Sequence, residues 1–598
     1  MDTNYYKKKI SILSVRDYLS IIKLAKRLKE DESLKKENCI KIAVIGSSSL
    51  QYFVMVLRLY LMKYSIFSDI FEGTYDGINL AVFDEHSELY KFQPQIVIIL
   101  TSYRDIHDMP ELFSNNNVID QFITYYGKYY QELWKRISKI KGCYVFQSNF
   151  VIPMERELGN LESNLYYSRQ TIYSLLNIEL IKRKLENVTI IDMEYIASLV
   201  GKSNWFDFKM YFANKLDYSL KYIGMVGEVF AQQVSALKGK IRKCLVLDLD
   251  NTLWGGIVAD EGANGIRIAP NDPIGEAYRF FQQYLLNLKN RGVILTVISK
   301  NDHQLAREPF DKNENMILKY DDFSSFIANW NDKASNIDLI AEELNISTDS
   351  FVFFDDNPAE RENVKMYHPE VWVVEVPENI AEYVAVLEGT HAFDWINVTR
   401  EDISRGETYQ KNVERKRLNS LYNDYHEYLV ALKMKGKAVK LEEKDIPRFV
   451  QLINKSNQFN IRTQRYTEAD IKNMVFDNKY CLISVSLEDR FNKFGIISCV
   501  ILKKIHNRCF IDTWVMSCRV LKRDVEYLTF RRILECAKEW GCDNLIGEYI
   551  PSSKNGIVEK LFLDLGFERL EKTSIETFLY IYDINMPFQR TIEIKEVD

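Results

Sequence analysis

Short apolar runs alternate with helical patterns over residues 1–392, and this alternation most constrains the fold. In the first segment, apolar runs cover residues 41–46, 95–101 and 188–193, with helical patterns between them. Strands that alternate with helices favour parallel pairing, because a crossover helix returns the chain to the same end of the sheet. The sequence therefore predicts an α/β domain with a parallel sheet over residues 1–238.

The second segment, residues 239–392, repeats the pattern more clearly. The sequence predicts strands at 243–249, 292–299 and 350–354, with helices at 274–290 and 333–344 between them. We expect a doubly wound parallel sheet here. The gaps between these elements are too short for a large cap domain. An open site suits a substrate carried on another protein better than a small metabolite that needs full enclosure.

The pattern changes after residue 392. Residues 393–435 are rich in charge and are predicted to form a helical connector. Residues 436–598 mix strand and helix patterns and predict an α+β domain. The predicted strands are 438–441, 480–487, 495–503, 508–516 and 544–549, and the predicted helices are 445–457, 524–540 and 556–565.

Composition excludes several classes of protein. Apolar residues make up 46% of the 598 residues and charged residues 27%, which is typical of globular proteins. The net charge of −6 gives no overall attraction to nucleic acid, and no apolar stretch approaches the roughly 20 residues of a membrane span. Nine cysteines without a C-x-x-C pair indicate a reducing compartment. We therefore expect a cytoplasmic protein with no nucleic-acid partner and no membrane span.

The strongest motif is the acidic turn D-L-D-N-T at residues 248–252, directly after an apolar strand. Ligands bind at this end of the strands in open α/β sheets. Asp248 can attack phosphorus as a nucleophile while Asp250 transfers the proton of the leaving group. Taken alone, the motif fits an ordinary acidic turn equally well.

Three further pieces follow in chain order. Ser299 ends the next strand, Lys333 opens a helix, and Asp355 and Asp356 end the third strand. A hydroxyl and an ammonium bind phosphate oxygens, and carboxylates are the ligands that Mg²⁺ prefers. Each piece has an ordinary alternative, namely a helix cap, a solvated charge and a polar turn. Their order and positions together predict a Mg²⁺-dependent phosphotransfer site.

These four pieces match, in order, the motifs of the haloacid dehalogenase (HAD) superfamily. The longer sequences around these motifs, at residues 247–256, 299–302 and 355–362, resemble the FkbH-like family, as do residues 457–460 and 517–520. The resemblance implies that Asp248 is the nucleophile, Asp250 the general acid and base, and Lys333 the balancing charge. The implied phosphate-binding residues are Thr252, Ser299, Lys300 and Asn301. The implied Mg²⁺ ligands are Asp248, Asp356 and the backbone carbonyl of Asp250, with Asp355 either a ligand or bonded to the water shell of the ion.

The resemblance also implies a substrate and a partner. FkbH-like proteins of polyketide and related pathways remove phosphate from a phosphorylated three-carbon unit, 1,3-bisphosphoglycerate. They deliver the glyceryl group to the phosphopantetheine thiol of an acyl carrier protein. Two alternatives stay open: a phosphatase of a free or lipid-linked sugar phosphate, and a non-catalytic assembly factor that binds carrier proteins.

One position departs from the family. A cysteine commonly precedes the serine of the second motif, and Ile298 stands there in this chain. Cys244 is the nearest alternative, and its place in an apolar strand indicates a buried structural thiol. Whether a thiol of this chain is acylated, or the carrier thiol reacts directly, stays open.

The outer segments resemble enzymes whose motifs are incomplete here. The last segment resembles the GNAT acetyltransferase fold, but Lys522 and Asp524 replace the glycines that approach the pyrophosphate of acetyl-CoA. The first resembles SGNH hydrolases at residues 46–49, yet the region that should carry their D-x-x-H motif, residues 215–220, has no histidine to act as a base. We expect docking or structural roles for both. The possible carrier or coenzyme A contacts are Asn457, Arg519, Lys522, Arg523 and Asn555.

Overall fold

The structure is a computed structural model that describes residues 3–31, 39–398, 403, 424–552, 554–570, 577–588 and 590–597. Contacts divide the chain into two compact units, Met1–Leu237 and Lys238–Asp598. Most of the predicted connector, residues 399–402 and 404–423, lies outside the described residues. The predicted boundaries at residues 392 and 435 stay predictions.

The first unit contains a parallel sheet in the order β2-β1-β3-β4-β5. The order changes direction between β1 and β3, which makes their carboxyl ends the switch point of the sheet. The strands are β1 Ile40–Gly46, β2 Ser68–Glu72, β3 Ile96–Leu100, β4 Tyr144–Ser148 and β5 Val188–Ile191. The helices are α1 Thr3–Ile12, α2 Tyr18–Glu30, α3 Gln51–Lys63, α4 Ile78–Phe83, α5 Glu88–Phe92, α6 Asn116–Ile137, α7 Arg169–Arg183, α8 Met193–Val200, α9 Lys202–Trp205, α10 Phe208–Asn214 and α11 Ile223–Leu237.

The second unit begins with another parallel sheet, in the order β10-β9-β6-β7-β8. Its switch point lies between β6 and β9. The strands are β6 Cys244–Leu247, β7 Ile294–Ser299, β8 Ser325–Ala328, β9 Phe351–Phe354 and β10 Trp372–Val373. The helices are α12 Val258–Glu261, α13 Pro273–Asn290, α14 His303–Lys312, α15 Lys333–Leu344, α16 Pro358–Tyr367 and α17 Tyr383–Glu388.

Strand β6 is apolar throughout because helices cover both faces of its sheet. Leu245 and Leu247 pack into one core, and Cys244 and Val246 pack into the core on the opposite face. Such burial on both sides explains the continuous apolar run that the sequence shows. The run stops at Asp248, where the chain leaves the sheet.

The remainder of the second unit is a mixed sheet in the order β17-β18-β16-β15-β14-β13-β11-β19, with β12 paired to β15. Most of its pairs are antiparallel, and β15–β16 and β11–β19 are parallel. The strands are β11 Met434–Lys440, β12 Phe459–Asn460, β13 Tyr480–Glu488, β14 Lys493–Ile505, β15 Arg508–Met516, β16 Asn544–Tyr549, β17 Glu568–Arg569, β18 Phe578–Asp583 and β19 Ile594–Glu596. The helices are α18 Tyr425–Ala431, α19 Ile446–Lys455, α20 Glu468–Phe476, α21 Val525–Glu539 and α22 Leu561–Asp564.

The predicted fold class is confirmed: the chain combines parallel α/β sheets with a mixed α+β sheet. The strands that were not predicted from the sequence are β2, β4, β8 and β10 of the parallel sheets and β12, β17, β18 and β19 of the mixed sheet. The predicted helix over 556–565 is shorter, with a 3₁₀ turn at Gly556–Val558 before α22. Among the described residues, no helix has the length and apolar character to cross a bilayer.

Candidate active site

Four predicted site residues meet at the carboxyl edge of the second parallel sheet. Asp248 follows β6 and Asp355 follows β9, and these strands pair in register at Leu247 and Phe354. One carboxylate oxygen from each of Asp248, Asp355 and Asp356 lies within 4.8 Å of the other two. The stretch between Asp248 and Ser299 holds only α12, α13 and β7 as regular elements, so no cap domain interrupts it.

Lys333 lies among these carboxylates. Its Nζ atom is 2.9 Å from Oδ1 of Asp248 and 2.6 Å from Oδ2 of Asp355, and the residue is 3% exposed. Burial by itself would lower the pKa of Lys333, but the two carboxylates outweigh it and hold the pKa above its ordinary value. Lys333 is therefore a fixed positive charge at the bottom of the site.

The site carries more negative charge than Lys333 balances. Burial, followed by the charge of Asp248, raises the pKa of Asp355 to about 7 and raises the pKa of Asp356. Three carboxylates this close ionise together only when a further cation lies between them. Hard oxygen donors of this kind suit Mg²⁺, so the residues present fit the predicted metal ion.

Asp250 is held by a network of its own. Its Oδ1 accepts hydrogen bonds from Nε1 of Trp254 at 2.9 Å and from the backbone N–H of Val258 at 3.0 Å, while Oδ2 accepts from Asn301 at 3.2 Å. Burial raises the pKa of Asp250 despite these bonds. Its carboxylate does not belong to the three-carboxylate cluster. Trp254 was missed because a tryptophan in an apolar run carries no signal of a polar role.

Two tyrosines fix the turn after Asp250. Asn251 adopts a left-handed conformation, with φ +54°, and its carbonyl accepts hydrogen bonds from the hydroxyls of Tyr278 at 3.2 Å and Tyr383 at 3.1 Å. Arg361 similarly donates to the carbonyls of Asp355 at 2.9 Å and Asp356 at 2.7 Å. These residues hold the acidic loops in place, and no local motif identifies them.

The predicted phosphate-binding residues differ in whether their side chains already have internal partners. The Thr252 hydroxyl is fully buried, 3.3 Å from both Oδ1 and the backbone nitrogen of Asp356. Asn301 binds Asp250, and Lys300 pairs with Glu360 at 2.6 Å. Ser299 is 2% exposed at the end of β7, and within the described residues its hydroxyl makes no hydrogen bond. Ser299 therefore differs from Thr252, Lys300 and Asn301 in having no internal side-chain partner among the described residues, and its role in phosphate binding stays a prediction.

The one thiol in the strands of this sheet, that of Cys244, is buried. Cys244 is fully buried in the same core as Ile298, and burial raises the pKa of its thiol to about 12. Position 298 therefore faces packed side chains, whereas Ser299 lies at the edge of the sheet. Neither position presents a thiol to a ligand at this edge.

The predicted contacts in the mixed sheet are largely committed to internal bonds. Arg523 pairs with the buried Asp489 at 3.3 Å, and Lys522 and Asp524 both adopt left-handed conformations, with φ +62° and +59°. The Asn555 side chain is fully buried and bonds to backbone groups, so it cannot contact a partner as predicted.

Two other members of that set also have internal partners. Arg519 donates to the hydroxyl of Ser517 at 3.1 Å, and Asn457 accepts from Arg465. Both are partly exposed. The pairing of Arg523 with Asp489 balances one positive charge of this segment, whereas the Lys522 side chain remains exposed.

The switch point of the first sheet carries a different polar cluster. Ser47 donates to Asp105 at 2.8 Å, and Ser102 donates to Asp217 at 2.7 Å, which also pairs with Arg104 at 2.7 Å. Burial raises the pKa of Asp105 to about 7. Among the residues described around Ser47, a carboxylate and not an imidazole receives its hydrogen bond.

Comparison with known proteins agrees with this geometry. Residues 41–234 match the family model described as FkbH, N-terminal domain. The chain is 30% identical to the N-terminal part of BF1531 from Bacteroides fragilis, which contains a phosphatase domain complexed with Mg. That match covers 62% of this chain and 98% of the other, with a TM-score of 0.58. No curated protein matches the chain.

Matches to two solved acetyltransferase structures are weaker. The ribosomal-protein-S18-alanine N-acetyltransferase from Escherichia coli is 12% identical, with 25% of this chain and 96% of that chain covered and a TM-score of 0.20. The GNAT domain of S. lividans PAT is 13% identical, with 24% and 89% covered and a TM-score of 0.21.

The second parallel sheet and its acidic edge define a HAD-type phosphatase domain. The chain as a whole belongs to the FkbH-like family.

Proposed function

We propose that this protein is a Mg²⁺-dependent phosphohydrolase that removes phosphate from a phosphorylated glyceryl unit and loads that unit on the thiol of an acyl carrier protein. The observation that carries the phosphatase step is the cluster of Asp248, Asp355 and Asp356 around Lys333. The family resemblance supports the three-carbon substrate, derived from 1,3-bisphosphoglycerate, and the carrier-protein acceptor.

The nucleophile is Asp248. Lys333 binds its Oδ1 and so restricts rotation of the carboxylate beneath the incoming phosphorus. Attack forms an oxygen–phosphorus bond to Asp248 and breaks the bond between phosphorus and the leaving oxygen. Mg²⁺ held by Asp248, Asp355 and Asp356, with the backbone carbonyl of Asp250, would supply charge that neutralises the phosphoryl oxygens.

Asp250 transfers the proton. Its Oδ1 already accepts two hydrogen bonds, so Oδ2 carries the proton that goes to the leaving oxygen. Asp250 then takes a proton from the water that hydrolyses the aspartyl-phosphate, which releases inorganic phosphate and restores both carboxyl groups. Trp254 and Asn301 keep the carboxyl group in one orientation through both steps.

The carrier thiol attacks the acyl phosphate directly in this proposal. The attack forms a carbon–sulfur bond and breaks the bond between the acyl carbon and the phosphate oxygen, so that inorganic phosphate leaves and takes up the thiol proton. The phosphate ester at the other end of the unit is hydrolysed at Asp248. The burial of Cys244 and the inward direction of Ile298 favour this route over a thiol of this sheet.

Intact-protein mass spectrometry tests the proposal. The protein is incubated with Mg²⁺, a system that generates 1,3-bisphosphoglycerate, and a phosphopantetheinylated carrier protein, while phosphate release is measured in parallel. We expect a glyceryl-sized gain of mass on the carrier. Asp248→Asn should reduce phosphate release at least about 10³-fold because it removes the nucleophile.

Asp311→Asn is the matched control, since Asp311 is paired with Arg307 on the surface of α14. It should retain phosphate release and loading. Phosphate release with an unmodified carrier would instead assign the protein to phosphatases of free or lipid-linked phosphates. An absence of Mg²⁺-dependent phosphate release would reject the catalytic proposal and leave the assembly-factor alternative.

A further inference from the structure

Trp330 is an exposed aromatic residue beside the candidate active site. It is 74% exposed and lies between β8 and α15, three residues before Lys333. Because consecutive Cα atoms are about 3.8 Å apart, the Cα atoms of Trp330 and Lys333 lie within about 11 Å of each other. Among the described residues, no hydrogen bond or ring contact engages its indole group.

The loop that carries Trp330 is firmly anchored. The backbone N–H of Asn329 donates to the carbonyl of Ser299 at 3.1 Å, next to the candidate phosphate site. The side-chain amides of Asn329 and the fully buried Asn336 bond to each other at 3.1 and 2.8 Å. Asn331 closes a turn on Asn329 at 3.0 Å. The loop therefore presents the indole without a large ordering cost on binding.

Neighbouring loops at this edge also expose apolar side chains. Ile257, 45% exposed, immediately precedes Val258, whose N–H group binds Asp250. Leu305, 40% exposed, lies at the start of α14 after Ser299. Single exposed apolar residues are ordinary on protein surfaces, but three on the segments that follow β6, β7 and β8 at the carboxyl edge of one sheet indicate a contact for a partly apolar group.

We propose that Trp330 is a specificity-determining residue that packs against the pantetheine arm of the carrier protein while the glyceryl unit occupies the acidic centre. This inference rests on the proposed function. Phosphate and hydroxyl groups are bound by charged and polar residues, and they gain little from an indole surface. The pantetheine arm carries methyl, methylene and amide groups, which pack well on an indole face.

Binding measurements with the catalytically inactive Asp248→Asn protein test the inference apart from catalysis. The probes are a phosphopantetheinylated carrier protein, the same carrier without its arm, and free pantetheine. Adding Trp330→Ala should weaken binding of the phosphopantetheinylated carrier at least about tenfold, whereas Trp330→Phe should weaken it less. Phe476→Ala is the matched control, because Phe476 is equally exposed, at 74%, on α20 of the mixed-sheet region.

The outcomes separate this inference from the proposed function. The assignment is supported if Trp330→Ala loses affinity for the phosphopantetheinylated carrier and for free pantetheine, but not for the carrier that lacks phosphopantetheine. Equal loss of affinity for both carriers would place Trp330 against the carrier surface and overturn the assignment, as would unchanged affinity or no binding by any probe.

In proteins with Asp248 intact, Trp330→Ala should raise the KM for the carrier and leave Mg²⁺-dependent p-nitrophenyl phosphate hydrolysis within about twofold of the original rate. Absence of phosphate release from the unsubstituted protein would reject the function and leave the binding result to decide the role of Trp330.

Discussion

The two parallel sheets of this protein place polar side chains at equivalent points, but the two clusters differ in charge balance. At the switch point of the first sheet, Asp105 accepts from a serine and Asp217 pairs with Arg104. At the switch point of the second, Lys333 binds Asp248 and Asp355 of a three-carboxylate cluster, and within the described residues this is the edge where three such oxygens lie within 4.8 Å of one another. The strand order thus sets where the polar cluster lies in each sheet. The number of carboxylates relative to hydrogen-bond donors and positive side chains decides whether that cluster requires a metal cation.

The largest expected effect comes from Lys333→Met in Mg²⁺-free buffer. The substitution leaves the carboxylates of Asp248 and Asp355 buried together without a cation. We expect the opening free energy of β6 and β9 to fall by about 3–5 kcal/mol, as when one partner of a buried ion pair is removed. Hydrogen exchange read by mass spectrometry measures this for each strand.

Lys300→Met is the matched control for Lys333→Met. Lys300 pairs with Glu360 near the surface, so its loss should cost at most about 1 kcal/mol. Protection of β1 and β3 in the first sheet should stay the same in both variants. Equal losses from the two lysines would show that the charge balance at Lys333 is not special.

Addition of Mg²⁺ should distinguish the two sheets directly. At a concentration one hundred times its Kd, Mg²⁺ should stabilise β6 and β9 by about 2.7 kcal/mol through mass action. Strands β1 and β3 should gain no protection, because the cluster near Asp105 has its own donors. The measurement is hydrogen exchange with and without Mg²⁺, with EDTA as the reversal. Comparable Mg²⁺-induced protection of both sheets would show that the metal ion does not bind selectively at the second sheet.

The pH dependence of the first sheet should follow Asp105. Burial raises its pKa from 3.8 to about 7, so the folded state binds a proton that the unfolded state releases between these values. Stability from this group is therefore fully present below pH 4 and is lost as pH rises through 7. We expect the opening free energy of β1 and β3 to fall by up to about 4 kcal/mol over this range.

Asp105→Asn should remove that fall and make the first sheet more stable at pH 8 than in the original protein. Asp69→Asn is the matched control, since Asp69 is exposed on β2. Hydrogen exchange corrected for the intrinsic effect of pH gives the comparison. If the opening free energy of β1 and β3 still falls with rising pH in Asp105→Asn, another group causes the pH dependence.

The smallest expected effect concerns the turn at Asn251. Tyr278→Phe or Tyr383→Phe removes one of two hydrogen bonds to the same carbonyl, so each should cost about 0.5–1 kcal/mol around β6. The double substitution should cost more than the sum, because the carbonyl then loses its last tyrosine donor. Tyr367→Phe, at a position that is 66% exposed, is the control. Strict additivity would show that the two hydroxyls act independently.

Local patterns predicted much of the fold and part of the candidate site. The strands that carry Asp248, Ser299 and Asp355 are fully buried apolar runs, and such runs are recognisable from the sequence. Strand β8 was missed because Ser325 and Ala328 at its ends interrupt the apolar pattern. Trp254 and Tyr383 were missed because their polar atoms act in an apolar context.

The chain order of the motifs determined by itself where carboxylates, a hydroxyl and an ammonium would lie, since parallel strands bring their carboxyl ends to one edge. Only the tertiary structure decided how those groups share their bonds. It commits Asn301 to Asp250 and Arg523 to Asp489, directs Ile298 into the core, and brings the Tyr383 hydroxyl to a carbonyl 132 residues away. The physical reason is that hydrogen bonds and burial depend on strand register and helix packing, which join residues that are distant in sequence.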